Sequence, residues 1–182
     1  MTATPLVYED SPSPDVALAE RVAADRSTRR PVLLFFHSAV VWLVIGSVFG
    51  LIASLKFQYP DWLTGQAMWT FGRIRSVHLN AVAYGWTSMA LIGMAVWMVP
   101  RLVRAPLFMP GFAMAAAWGW NLFMILGLGA ILAGWTDGME WLEIPRPIDV
   151  IVALSGGLMA LSVLITVARR RTKHFYVSVW YI

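Results

Sequence analysis

The stretch Val32-Leu-Leu-Phe-Phe-His-Ser-Ala-Val-Val-Trp-Leu-Val-Ile-Gly-Ser-Val-Phe-Gly-Leu-Ile-Ala-Ser-Leu55 contains no Asp, Glu, Lys or Arg. A helix rises about 1.5 Å per residue, so about 20 such residues cross the roughly 30 Å hydrocarbon layer of a bilayer. Three further stretches meet that length: Val77 to Val99, Phe112 to Ala133 and Ile148 to Ala168. Across all four, the acidic, basic and histidine side chains are limited to His37, His78 and Asp149. The reading is an all-α, polytopic transmembrane helical bundle with four spans.

Composition agrees. The chain is 59% hydrophobic and 13% charged, with a mean hydropathy of +0.66, against about 25% charged residues in a soluble domain. The net charge of +4 falls at the ends of apolar runs and not along one stripe, which argues against nucleic acid. Zero cysteines exclude disulfides, thiolate metal sites and iron–sulfur clusters. No phosphate loop or hydrolytic triad is present.

Residues 1–31 form a polar head carrying five of the ten carboxylates, with several Pro and Ser. They read as a soluble, partly disordered tail, in which Pro14-Asp15 opens a short amphipathic helix through Ala17, Leu18 and Val22 with Asp15 as its cap. The membrane domain is then 32–182. Lys and Arg alternate by side: Arg21, Arg26, Arg29, Arg30, Arg101, Arg104, Arg169, Arg170, Arg171 and Lys173 on one, Lys56, Arg73, Arg75 and Arg146 on the other. The positive-inside bias places the head, the second turn and the tail in the cytoplasm. Trp62, Trp69, Trp135 and Trp141 fall near the outer mouths and Trp97 near an inner one, as interfacial aromatics do.

His78 opens the second span in Phe71-Gly-Arg-Ile-Arg-Ser-Val-His-Leu-Asn80. An intramembrane imidazole there is well placed to bind iron, and its helical face continues through the small Ala81, Val82 and Gly85, with Ser88 and Met89 a turn on. Arg73 and Arg75 precede it, where guanidinium groups can fork-bond outward-pointing haem propionates. The alternative is that His78 hydrogen-bonds a neighbouring helix and the arginines snorkel to lipid headgroups. His37 and His174 fall toward the opposite face, too far to share an iron with His78. His37 reads as a hydrogen bond within the bundle or an interfacial position.

Between spans three and four runs Gly134-Trp-Thr-Asp-Gly-Met-Glu-Trp-Leu-Glu-Ile-Pro-Arg-Pro-Ile-Asp149, with four carboxylates against one arginine. Glu140 and Glu143 share a face if Met139 to Ile144 makes a helical turn. Such oxygens suit calcium; the alternative is a hydrated acidic loop. Gly46 and Gly50, spaced Gly-x-x-x-Gly, and Gly127 and Gly129 read as close helix contacts.

Four stretches together resemble the beginning of subunit I of the cbb-type (C-family) haem-copper cytochrome c oxidases, with the related nitric oxide reductase large subunit close behind. They are the segment from Phe71 through His78 to Val82, Trp118-Gly-Trp-Asn121, Gly138-Met-Glu-Trp-Leu-Glu143 with Pro147-Ile-Asp149, and Lys173 to Trp180. The resemblance implies that His78 is an axial ligand of low-spin haem b, that Arg75, with Arg73, meets haem propionates, and that Glu140 helps hold calcium with Glu143 as its neighbour. It also implies a respiratory electron-transport enzyme that reduces oxygen to water with proton pumping. Its partners would be the rest of subunit I, other oxidase subunits, cytochrome c-type electron donors and membrane lipid. High-spin haem and copper belong to the complete subunit only, since their ligands lie beyond the matched stretches. Ser76 stands where that family usually has Pro. Phe175 to Ile182 is too short to span and reads as the start of an interrupted fifth helix. A nitric oxide reductase and a cofactor-free membrane assembly subunit remain as alternatives.

Overall fold

The computed structural model describes residues 12–173 and 176–181. Its helices are α1 (Pro14–Gln58), α2 (Phe71–Asn80), a π-helical segment (Ala81–Ser88), α3 (Met89–Leu102), α4 (Pro110–Ala133), α5 (Arg146–Ala168) and the single turn α6 (Val177–Trp180). The second, third and fourth run on without a break as Phe71–Leu102, so four helices are long and apolar enough to cross a membrane. Among the described residues, β pairing is limited to an isolated bridge between Met139 and Leu142. The chain is therefore a multi-pass membrane protein with an all-α fold. Leu51, Leu91, Leu154 and Leu164 stand exposed on its flanks, as apolar side chains do where the surrounding solvent is lipid.

Close approach of α1 to the second crossing organises the core. A methyl placed at Gly50 would stand 2.7 Å from the His78 ring, and one at Gly46 3.0 Å from Val82. On the partner helix, a methyl at Gly85 would meet Trp42 at 2.6 Å and one at Gly93 would meet Phe35 at 3.0 Å. Each helix thus seats large side chains on the other's glycines. Phe35, Ala39, Trp42, Val77, Ala81, Met89 and Val96 are buried along this seam, joined by Ala117, Phe123 and Met124 of α4. On the other side of α4, Gly119 receives Ser155 of α5 and Gly127 receives Ile144, while Gly129 faces open space.

Order in the head extends beyond the short helix expected there. Residues 14–31 continue the first span as one 45-residue helix, about 67 Å long. Ser13, not Asp15, is the N-cap residue, and Pro14 occupies the first turn, where its missing N–H costs nothing. The order has a tertiary cause. Asp25 accepts from Arg101 at 2.7 Å, and Glu20 bridges Arg104 at 2.8 Å and Arg171 at 3.2 Å. The Leu107 N–H donates to Ser27 Oγ at 2.9 Å. The Arg104 guanidinium, helped by Arg171, holds Glu20 below the ordinary carboxylate value of 4.5, against a desolvation that pushes it up.

Of the expected fifth helix, Val177–Trp180 forms one helical turn; Phe175 and Ile182 lie outside the described residues, as do His174 and residues 1–11.

Candidate functional site

His78, Arg73, Arg75, Glu140 and Glu143 gather at the end of the bundle opposite the head, where α2 begins and α4 hands over to α5. His78, half-buried on α2, lies against Gly50 of α1, and its Nδ1 is 2.8 Å from the Gly46 carbonyl. A carbonyl only accepts, so Nδ1 carries the proton. In the neutral ring the lone pair is then on Nε2, the tautomer a metal requires. Among the described residues, no side chain or backbone group hydrogen-bonds Nε2. The small surface expected beside the ring is already filled: Ala81 and Gly85 are buried, and Ala81, Val82 and Gly85 pack on Gly46 and Trp42 of α1. Helix packing, and not a macrocycle, explains why those residues are small.

Arg73 and Arg75 part company although both lie on the first turns of α2. Arg73 donates to the Leu132 carbonyl at 2.8 Å and leans on Gly134, whose φ of +94° ends α4. It caps the carbonyl end of that helix, where a cation is favoured by the aligned peptide dipoles. Arg75 is half-exposed and pairs with Glu140 at 2.6 Å.

The connection from Gly134 to Pro145 is not the expected helical turn. Gly138 and Trp141 take positive φ values of 68° and 69°, and residues 139–142 fold into a tight turn closed by the Met139–Leu142 bridge. That geometry sends the two glutamates to different places. Glu140 is exposed on Arg75, whereas Glu143 is only 6% exposed and accepts from Asn80 Nδ2 at 2.6 Å and from Ser76 Oγ at 3.3 Å. Tyr84 of the π segment donates its hydroxyl to the Trp141 carbonyl at 2.7 Å, and the Asp137 carboxylate accepts from the Arg146 N–H at 3.0 Å. A buried carboxylate needs such donors. Asn80 was not singled out from the sequence, and Ser76 was noted only as a departure. The signal that points to both is the i, i+4 spacing of two polar residues flanking His78 on a helix entering lipid.

The donor set fits an axial haem ligand: an imidazole held at one nitrogen and left basic at the other. Calcium fits less well. Among the described residues no three His, Asp or Glu side chains cluster as a metal site, and Glu140 is already neutralised by Arg75. The described carboxylates by themselves do not supply the six to eight oxygens of a calcium shell. His37 is exposed on α1, and its Nδ1 is 2.6 Å from the Leu33 carbonyl of its own helix, away from this end.

Comparison with known proteins gives a consistent result. Residues 30–182 match the family model for cytochrome C and quinol oxidase polypeptide I. The chain is 32% identical over 148 residues to the cbb3-type cytochrome c oxidase subunit CcoN1 of Stutzerimonas stutzeri, covering 81% of this chain and 31% of that protein. It is 31% identical over 144 residues to a cytochrome c oxidase subunit 1 homolog of Agrobacterium tumefaciens, covering 79% and 26%. To cytochrome c oxidase subunit 1 of Rhodobacter capsulatus it is 29% identical over 144 residues, covering 77% and 27%. The chain thus spans less than a third of the length of each of these relatives.

Proposed function

The chain belongs to the family of cytochrome c and quinol oxidase polypeptide I, and from that membership we propose that it is the opening part of the haem-bearing catalytic subunit of a cbb-type terminal oxidase, with His78 as an axial ligand of low-spin haem b. The observation that carries the reading is the Nδ1–H to Gly46 carbonyl bond at 2.8 Å. It selects the tautomer, orients the ring against Gly50 and raises the basicity of Nε2.

Around that ligand each residue has a separate task. Arg75 is the propionate partner: it is half-exposed and held by one contact that a second carboxylate can share. Arg73 serves mainly as the cap of α4. Glu143, tied to Asn80 and Ser76, locks the 139–142 turn to α2 and so keeps Glu140 beside Arg75. Glu140 contributes one oxygen to a calcium ion only if other parts of the enzyme supply the rest.

Bound haem iron supplies one-electron transfer, toward a haem-copper centre that other parts of the complete subunit contain. In this reading the assembled enzyme reduces oxygen to water with proton pumping, and its partners are the other oxidase subunits and a cytochrome c-type donor. The His78 end faces outward and the arginine-rich head lies in the cytoplasm, by the positive-inside rule. The test replaces His78 with Ala in the complete oxidase. Loss of the reduced low-spin b-haem band, with the high-spin haem retained, is the expected result; an unchanged band refutes the assignment.

A further inference from the structure

Trp120 and Asn121, adjacent on α4, reach the two partners of the seam beside His78: Trp120 bonds the π segment that follows it, and Asn121 bonds α1. A π-helix bonds i to i+5 and disturbs the carbonyl partners of an α-helix, so its carbonyls look elsewhere. Two are captured by side chains here: Ser88 Oγ donates to the Ala83 carbonyl at 2.9 Å, and Trp120 Nε1–H donates to the Tyr84 carbonyl at 2.9 Å. Asn121 works on the other partner of the seam. Its Oδ1 accepts from Trp42 Nε1–H at 2.9 Å, and its Nδ2 donates to Ser38 Oγ at 2.9 Å and to the Ala117 carbonyl at 2.8 Å. Both amide protons and the oxygen are used. Trp42, so held, is the side chain on which Gly85 of the π segment rests. One turn along α1 from Trp42 is Gly46, whose carbonyl takes the His78 proton.

We propose that Trp120 and Asn121 are positioning residues for the haem ligand. Trp120 fixes the π segment, Asn121 fixes the Trp42 ring under it, and together they set the distance between the His78 Nδ1–H and the Gly46 carbonyl. The inference rests on His78 being the ligand. A shorter Nδ1–H···O bond makes Nε2 a stronger donor and favours ferric iron; a longer one favours ferrous iron. Loosening the device therefore raises the midpoint potential of the low-spin haem. A purely structural role changes how much enzyme assembles and leaves the potential alone.

The experiment uses the complete oxidase carrying Trp42→Phe, Asn121→Ala, their combination, Trp120→Phe and, as reference, His78→Ala. The readouts are a redox titration of the low-spin haem and its EPR g values. The expected result is a low-spin haem that persists in the first four variants with its reduced-to-oxidised ratio raised severalfold at a fixed ambient potential. The Trp42–Asn121 double variant shifts no further than Asn121→Ala alone, because Asn121→Ala already removes the bond that Trp42→Phe removes. If Asn121→Ala does not assemble, Trp42→Phe decides, since it keeps the Cβ and an aromatic ring against Gly85 while losing the N–H together with part of the indole. An unchanged potential and unchanged g values in Trp42→Phe and Trp120→Phe, with His78→Ala lacking the low-spin signal, overturn this inference alone. A low-spin signal that survives His78→Ala overturns the ligand assignment and this inference with it.

Discussion

Adding one methyl group at Gly50 tests the packing around His78 directly. The new Cβ would stand 2.7 Å from both Cε1 and Nδ1 of the ring, where comfortable carbon contacts begin at about 3.5 Å. One partner must retreat by about 0.8 Å if the ordinary contact distance is to be reached. Helix α1 does not give way easily, because retreat would forfeit the close Gly46–Val82 and Trp42–Gly85 contacts along the same seam. The imidazole moves instead, and its 2.8 Å bond to the Gly46 carbonyl opens beyond the roughly 3.2 Å limit of a normal N–H···O bond. Overpacking of this kind costs about 1–3 kcal/mol, and loss of an outer-shell partner weakens a metal site by about 10–100-fold. Gly50→Ala in the complete oxidase should therefore lower low-spin haem content and the midpoint of thermal unfolding. Gly129→Ala is the matched control, since nothing lies within 4 Å of its methyl position; the helix preference for Ala makes it neutral or slightly stabilising. The measurements are the pyridine haemochrome assay and a detergent thermal melt. Wild-type haem content and melting in Gly50→Ala, or equal damage from Gly129→Ala, would refute the reasoning.

At the same end, Glu143→Ala leaves the buried Asn80 donor without its carboxylate and should cost about 1–3 kcal/mol, seen as a lower melting midpoint than that of Glu140→Ala, whose side chain is exposed. Tyr84→Phe removes the bond to the Trp141 carbonyl; faster amide exchange across 137–143 with unchanged exchange in α5 is the expected signature. At the head, Glu20 has a lowered folded pKa because Arg104, and then Arg171, hold its charge. Its stabilisation is then complete above the ordinary value of 4.5 and is lost as pH falls through the depressed one. Amide exchange over residues 14–30 should accelerate on acidification through that window in the wild type, and be already fast and less pH-dependent in Glu20→Gln.

The four crossings were legible because hydrocarbon imposes a length and a composition that few other environments require. His78 drew notice for the same reason, an imidazole in an apolar run, but so did His37, which bonds only a carbonyl of its own helix. Long-range partners were not legible. The head reads as solvated because Pro, Ser and carboxylates dominate it, yet Asp25 meets an arginine 76 positions away and Glu20 one 151 positions away. Local composition carries no trace of either. The Gly46 and Gly50 spacing pointed correctly to a close helix contact, but not to His78 as what fills it. Ala81, Val82 and Gly85 were assigned to a cofactor face because small size shows only that something approaches closely, not which neighbour does. Glu140 and Glu143 would share a face only on a helical turn, and spacing alone cannot report the positive φ at Gly138 and Trp141 that separates them.

The seam between α1 and the second crossing explains why His78 stands where it does. His78 on Gly50, Val82 on Gly46, Trp42 on Gly85 and Phe35 on Gly93 are successive steps of one antiparallel register, residues 50–35 against 78–93. The glycines belong to α1 at the His78 end and to the partner at the head end, so neither helix can slide by a turn without driving a ring into a side chain. A slip of one turn would cost several overpacked contacts at about 1–3 kcal/mol each. The polar bonds are distributed along the same seam, with His78 to Gly46 between the two helices and Trp42 to Asn121 tying α1 to α4. In lipid these bonds are favoured further because the alternative is an unsatisfied polar group in hydrocarbon. The imidazole is therefore held by the packing of whole helices and not by a flexible loop, which is the condition under which a backbone carbonyl can set the basicity of a metal ligand.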